Sequence, residues 1–299
     1  MKCPVCNSES FSWGCSVGDY SILRCRGCRL GVTDPFPTKE ERDRINVEDY
    51  SVERRIDVYM SRRAYFERRY RGYAATLKKY GGRGRLLDIG CNIGLFLKVA
   101  REAGFDSAGV ELNSGCAEYG RKEFGLNIYS DRLENLRFPA GSFDVITLFD
   151  TLEHIPCLQS FLSEISRIMA DGGLLAVQSP NIDSLMSNLA KSSWAWLSPP
   201  DHLYHFTPGV MSMLIESKGF RILEAKTWEP LLDFCTGLFP GNRPESRAGK
   251  ILLKSVKGTL FAFLGITHAN RLWWSARKGG LILVYARKTG TPGLQSLPG

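Results

Sequence analysis

Apolar positions along this chain change their period twice. In residues 51–80, Ile56, Tyr59, Phe66, Tyr70, Tyr73 and Leu77 recur at spacings of three, four and seven, which places them on one helical face. The other faces carry Arg54, Arg55, Arg62, Arg68, Arg69 and Arg71. The spacing predicts one long helix from about Ser51 to Tyr80, with its aromatic stripe packed against the next domain. Interleaved arginines can also bind phosphates, the less favoured reading for want of a nucleic-acid motif. Ahead of it, Thr38-Lys39-Glu40-Glu41 has the form of a capping box.

Gly81-Gly82-Arg83-Gly84 ends that helix, and beyond it short apolar runs alternate with amphipathic stretches. Strands are expected at Leu86–Ile89, Ser107–Glu111, Asn127–Tyr129, Asp144–Phe149, Leu174–Ser179, Phe220–Thr227 and Leu281–Arg287. Helices are expected at Gly94–Ala103, Ser114–Phe124 (with Ser114 as its cap), Pro156–Met169 and Pro208–Lys218. Alternation of this kind predicts an α/β fold, a mostly parallel sheet with helices on both faces.

The first of these strands runs into Asp88-Ile89-Gly90-Cys91-Asn92-Ile93-Gly94, a turn of small residues that opens a helix. Such a turn brings backbone N–H groups up to a nucleotide-like ligand. The second strand ends in Val110-Glu111-Leu112, and an acid at that tip can accept from both hydroxyls of a ribose. A nicotinamide-binding fingerprint would need glycine where Asn92 stands.

The N-terminus carries Cys3-x-x-Cys6 and, after eighteen residues, Cys25-x-x-Cys28. Two such knuckles complete a tetrahedron around Zn²⁺, and four thiolates leave no open position, so the site is expected to be structural. Residues 1–34 therefore read as a zinc ribbon, with short strands around Phe11-Ser12-Trp13 and Ser21-Ile22-Leu23 and with Cys15 to spare. Residues 35–84 read as a linker and the basic aromatic helix. Residues 85–289 read as the main domain, with an insertion at 228–280, and 290–299 as a tail.

Over about residues 50–227 the chain resembles the class I S-adenosylmethionine-dependent methyltransferases, in their small-molecule branch related to ubiquinone biosynthesis. The resemblance rests on five ordered stretches. They are the glycine-rich segment Asp88–Gly94, with Asn92 at the middle glycine; Val110-Glu111-Leu112-Asn113; Ser142–Ile146 with Leu152-Glu153-His154-Ile155; Gly172–Leu175; and His202–Thr207 followed by Lys218-Gly219-Phe220. It implies a Rossmann-like seven-stranded sheet and S-adenosylmethionine as cofactor. Asp88, Gly90, Cys91, Asn92 and Gly94 would form the loop beneath its methionine part. Glu111 would hold the ribose, Leu112 would lie on the adenine, and Asp131 or Leu133 would stand near the adenine amine. Phe149 and Asp150 would border the cofactor and the substrate mouth, with Tyr50 as an aromatic cover.

A hydroxyl acceptor needs a base. His202 is the first candidate and His154 the second; with His205 they fall in loops after strands four and five, where open sheets bind ligands. The alternative is structural: His154 caps the following helix and His205 is a packed, hydrogen-bonded core residue. The insertion 228–280 mixes basic, aromatic and apolar residues, among them Trp273-Trp274. It suits a lid over a lipid-like acceptor or peripheral membrane contact; a helical cap packed on the sheet is the blander reading.

Composition narrows the field. The 299 residues are 43% apolar and 23% charged, and no run of about eighteen apolar residues suggests a membrane span. The start reads without an apolar leader, so a cytoplasmic location is expected, where cysteines are more often thiols or metal ligands than disulfides. Net charge is +7 over residues 1–85, −7 over 86–220 and +8 over 221–299. Basic ends suit an anionic acceptor, lipid or nucleic acid, or are simply solvated. The function expected is methylation, at oxygen or carbon, of a small-molecule or lipid- or sugar-linked acceptor. Alternatives are an RNA or protein methyltransferase gripping its polymer with the ribbon and basic helix, and a non-catalytic module that binds the cofactor.

Overall fold

The computed structural model describes residues 1–45, 51–228 and 277–290. Tyr50, residues 229–276 of the basic insertion and residues 291–299 of the tail lie outside the described residues. In chain order the elements are β1 (Phe11–Val17), β2 (Tyr20–Cys25), β3 (Gly31–Asp34), α1 (Lys39–Arg44), α2 (Val52–Met60), α3 (Arg63–Lys79), β4 (Arg85–Ile89) and α4 (Leu95–Glu102). Then come β5 (Asp106–Val110), α5 (Ser114–Phe124), β6 (Asn127–Tyr129), α6 (Leu133–Leu136), β7 (Phe143–Phe149), α7 (Leu158–Ile168) and β8 (Met169–Pro180). The last are α8 (Leu185–Ala190), β9 (Tyr204–His205), α9 (Pro208–Glu216), β10 (Phe220–Trp228) and β11 (Leu281–Lys288). Two compact units result: a sheet unit of residues 38–178, 212–224 and 284–299, and a cysteine unit of residues 1–37, 179–211 and 225–283.

A seven-stranded sheet runs in the order β10-β11-β8-β7-β4-β5-β6. Its strand β4 pairs in parallel with β5 and β7, which pair in parallel with β6 and β8 respectively. Central strands of a covered sheet are apolar on both faces, and Leu86, Leu87, Val145, Ile146 and Leu148 are fully buried. On α7 the buried set is Leu158, Phe161, Leu162, Ile165 and Ile168, one helical stripe. Each such side chain contributes about 2 kcal/mol of burial.

The capping box is present at α1: Thr38 Oγ1 accepts from the Glu41 N–H while Glu41 reaches back to the Thr38 N–H. Two local expectations change. The long helix is two, because Arg62 leaves helical dihedrals between α2 and α3. No glycine or proline marks the break; α2 packs on α5 and α3 on α4, and one straight helix could not serve both. The cap of α5 is Asn113, whose Oδ1 accepts from the Cys116 N–H at 3.0 Å, rather than Ser114.

The aromatic stripe is packed. The rings of Tyr59 and Phe66 meet at a tilt with centroids 4.8 Å apart, and Tyr70 reaches Phe96, itself against Phe149. Cations beside the stripe are engaged within the fold: Glu67 accepts from Arg63 at 2.8 Å and Arg71 at 3.0 Å, both on α3, and lies 3.4 Å from Lys98 of α4.

The cysteine unit departs from a self-contained ribbon. Strands β1, β2 and β3 form an antiparallel sheet whose fourth member is β9, with Gly31 opposite His205 and Val32 opposite Tyr204. Its apolar cluster joins Ile22 to Met186, Trp194 and Leu197, with Cys15, Val17 and Ile182 at the edge. The physical reason is size: some thirty residues cannot enclose a core, so the segment 179–211 supplies one. Arg24 and Arg29 both bridge to Asp183, at 2.9 and 3.1 Å.

Candidate functional site

Within the sheet unit, the loop after β4 is tied to the end of β5. The N–H groups of Gly90 and Cys91 donate to the Val110 carbonyl at 2.8 and 3.1 Å. Glu111 closes the arrangement: one carboxylate oxygen accepts from the Asn92 N–H and the other from the Asn113 N–H, each at 2.8 Å. Each oxygen keeps a second lone pair for a ligand hydroxyl. Leu112, beside it, is 41% exposed, an apolar side chain next to a buried acid.

Asn92 has a left-handed φ of 51°, and its Oδ1 accepts from the Ile93 N–H at 2.8 Å. Asparagine is among the residues that tolerate this region, so it can stand where glycine is usual. Gly90 and Gly94 also have positive φ, 76° and 78°. A Cβ on Gly90 would come within 2.3 Å of Thr151 Oγ1, and one on Gly94 within 2.5 Å of Leu126 Cδ1. The two glycines are required by the protein's own packing, whatever else approaches the loop. Cys91 is buried, and a Cβ on Gly109 would meet its sulfur at 2.6 Å, so its thiol packs under β5.

Asp88 is buried and accepts from the Thr147 hydroxyl at 2.6 Å. Burial pushes its carboxyl up to about 7, with Glu111 adding to the rise. Between its unfolded value of about 3.9 and that folded value the native state holds the extra proton, so stability falls as pH rises from about 4 to about 7. Urea midpoints of ligand-free protein are expected to fall across that window. Asp88→Asn is expected to flatten the fall, which is worth at most about 4 kcal/mol. A slope unchanged in the variant would show that other groups set it.

At the end of β7, Phe149 lies between Tyr73 and Phe96, with ring centroids 4.8 and 4.9 Å away. Asp150 follows with φ 54°, and the Gln178 side-chain amide donates to both its carboxylate oxygens, at 2.8 and 2.9 Å. The Tyr73 hydroxyl donates to Gln178 Oε1, Arg69 donates to the Tyr73 oxygen at 2.7 Å, and Arg69 returns to Asp150 at 3.8 Å. Thr151 then donates to the Ile89 carbonyl at 3.0 Å, which binds this loop to the Gly90 turn. Arg69, Tyr73, Thr147, Thr151 and Gln178 were absent from the sequence-based set. The one signal for them is a polar residue at the carboxyl end of an apolar strand, as Gln178 is.

Asp131 is exposed, and its Oδ1 accepts from the Arg132 N–H at 2.6 Å and from Asn135 at 2.7 Å; these bonds lower its pKa, that from Asn135 most. Leu133 is buried at the first position of α6. His154 closes a single 3-10 turn, Leu152–His154, after β7. The fold thus gathers Asp88, Gly90, Cys91, Asn92, Gly94, Glu111 and Leu112 at one turn, with Phe149 and Asp150 on the neighbouring strand.

His202 and His205 belong to the cysteine unit. His202 is buried, and its Nδ1 donates to the Trp196 carbonyl at 2.8 Å, so that nitrogen carries a hydrogen. His205 is buried against Thr33 at 3.2 Å, and desolvation, followed by His202 and Arg24, holds it well below the usual histidine range. In the same unit, Sγ atoms of Cys3, Cys6, Cys25 and Cys28 all lie within 4.8 Å of one another. Two of the separations, Cys3–Cys28 and Cys6–Cys25, are 3.5 Å.

The family model for the methyltransferase domain matches residues 61–225. The ubiquinone biosynthesis O-methyltransferase of Coxiella burnetii is 23% identical over 150 residues, 46% of this chain and 64% of that protein. The enzyme of the same name from Methylococcus capsulatus is 30% identical over 95 residues, 30% of this chain and 40% of that protein. This chain therefore spans less than two thirds of the length of either of these relatives. A SAM-dependent methyltransferase of Thermotoga maritima shares the fold, with TM-score 0.50 at 18% identity over 79% of this chain and 98% of that one. So does a chain of the Haloferax volcanii complex of the Trm112 methyltransferase activator with a methyltransferase, with TM-score 0.53 at 15% identity over 81% and 99%. The chain belongs to the methyltransferase-domain family, among the class I S-adenosylmethionine-dependent enzymes.

Proposed function

We propose that this protein transfers a methyl group from S-adenosylmethionine to a hydroxyl of a small-molecule or lipid- or sugar-linked acceptor. The observation that carries the donor half is the Glu111 carboxylate, oriented by the Asn92 and Asn113 N–H groups beside exposed Leu112. An acid oriented by two N–H groups, with lone pairs to spare, fits a ribose diol, and the adjacent apolar surface fits a purine. The names of the curated relatives support oxygen as the acceptor atom. A carbon acceptor on a sugar is the near variant.

When bound, the cofactor supplies an electrophilic methyl on a positively charged sulfur. The residues supply position and proton transfer. The Gly90–Gly94 turn and Glu111 fix the donor's place, and in-line displacement depends chiefly on such placement. His202, with Nδ1 donating to the Trp196 carbonyl, offers Nε2 as the general base for the acceptor hydroxyl. His154 is the second candidate.

The four-cysteine site is proposed to hold a structural zinc ion. Tetrahedral bonds of about 2.3 Å place sulfurs about 3.8 Å apart, which fits the spacings here, and four thiolates leave no coordination position for substrate. The cytoplasmic reading is likewise a proposal; among the described residues no helix is long and apolar enough to cross a membrane.

Incubation with methyl-labelled S-adenosylmethionine and fractionated cell extract tests the reading. Label is expected in the organic-soluble or small-carbohydrate fraction. Label in RNA or protein would replace it with the polymer reading, and donor binding without transfer to any fraction would leave a non-catalytic module.

A further inference from the structure

Thr33, the third residue of β3, is fully buried and faces two histidines of the cysteine unit. Its hydroxyl has one proton to give. The His202 carbonyl, 2.7 Å away, can only accept, so the proton goes there. The oxygen then accepts from His205 Nε2 at 3.2 Å, and that nitrogen must carry the hydrogen. The Thr33 N–H adds a third bond, to the Leu203 carbonyl at 3.0 Å. One residue thereby fixes the backbone at 202 and 203 and the tautomer of His205.

The strand that carries Thr33 is continuous with the second cysteine knuckle. The Cys25 N–H donates to the Leu30 carbonyl at 2.9 Å, and the Arg29 N–H donates to the Cys25 carbonyl at 2.8 Å. Leu30 is fully buried, and β3 pairs with β2 along its whole length. Across β3, Gly31 permits close approach of β9: a Cβ there would stand 2.8 Å from His205 Cβ. A displacement of the knuckle is therefore transmitted to the histidine loop through the four buried residues Leu30–Thr33, the last three of them paired with β2.

We infer that Thr33 is a positioning residue for the His202–His205 loop, and that the metal held by the four cysteines keeps it in place. The cysteine site would then serve the acceptor-side chemistry from a distance rather than merely stabilise the N-terminus. The catalytic meaning of this coupling rests on the proposed role of His202; the coupling itself does not.

Nitrogen-15 spectra of histidine-labelled protein read the coupling directly, because the sequence has only four histidines. In the metal-loaded wild type, His202 is expected as the Nδ1–H tautomer and His205 as the Nε2–H tautomer. Thr33→Val keeps the shape and removes the hydroxyl; it is expected to abolish the fixed His205 pattern. It should also lower amide-exchange protection over 202–206 at least about tenfold, the scale of one lost buried hydrogen bond. Thr33→Ser should restore both readouts. Chelation of the metal from the wild type should abolish the same His205 pattern and the same protection over 202–206, as part of the loss of structure expected when the cysteine site is emptied. Wild-type rings and protection in Thr33→Val, or wild-type spectra after complete metal removal, would overturn the inference, as would purification with no metal bound. Should chelation unfold the unit, the Thr33→Val and Thr33→Ser pair in metal-loaded protein decides. Calorimetric titration of S-adenosylmethionine into the wild type is run alongside. Failure of the donor reading shows there as absent binding, independently of the ring spectra.

Discussion

Glu111→Ala is expected to weaken S-adenosylmethionine binding at least about a hundredfold by calorimetry. Hydrogen bonds to a charged acceptor contribute about 1.5–3 kcal/mol each, and a ribose diol would make two, so a loss of about 3 kcal/mol is the lower bound. A second effect adds to it. Without the carboxylate, the N–H groups of Asn92 and Asn113 lose the acceptor that now holds them at 2.8 Å, and the left-handed turn at Asn92 loses its clamp. Glu111→Gln should be intermediate, since its amide keeps one acceptor oxygen but turns NH₂ toward a backbone donor. Asp171→Ala is the contrasting control: that carboxylate is exposed and pairs with Lys288 at 3.0 Å, and its loss should change affinity by no more than about threefold, the scale of a surface substitution. Affinity in Glu111→Ala within threefold of wild type would sink the donor site as proposed.

The second large effect concerns the cysteines. Cys3→Ser with Cys28→Ser is expected to abolish bound zinc, about one ion per chain in the wild type. It is also expected to unfold the cysteine unit. Structural zinc contributes an apparent 10–16 kcal/mol in small thiolate modules, as much as the whole stability of an ordinary domain. Because Ile22 packs with Met186, Trp194 and Leu197, the damage should spread beyond the first 37 residues. Trp194 emission should move toward that of solvated indole, and proteolysis should reach the segment 179–211. Cys157→Ser, at an exposed thiol, should change neither metal content nor emission. Retention of a full equivalent of zinc in the double variant would remove these sulfurs as ligands.

Much of the sheet unit was legible because its signals are local. The apolar run Leu86–Ile89, the small-residue turn after it and the acid closing the next strand each declare themselves within a few residues. The break between α2 and α3 did not, since residues 60–63 contain no breaker and the cause is a choice of two packing partners. The cap of α5 shifted by one position because Asn113 and Ser114 are both competent caps, and geometry alone selects between them. The ring of Arg69, Tyr73, Gln178 and Asp150 joins residues up to 109 positions apart, and nothing in a linear pattern pairs an arginine on a helix with a glutamine ending a strand. The partnership of β3 with β9 was hidden for the same reason: Val32 and Tyr204, which stand opposite each other, are 172 positions apart.

That pairing of β3 with β9 also sets an order of assembly. Thr33 and His205 are 172 residues apart, and at about 5–20 residues per second a ribosome needs roughly ten to thirty seconds to make that stretch. During this interval the cysteine knuckles have left the exit tunnel, while one edge of their sheet has no neighbour. The proposed metal can therefore be taken up before the strand is completed, and the open edge of β3 is a vulnerable template until residue 205 arrives.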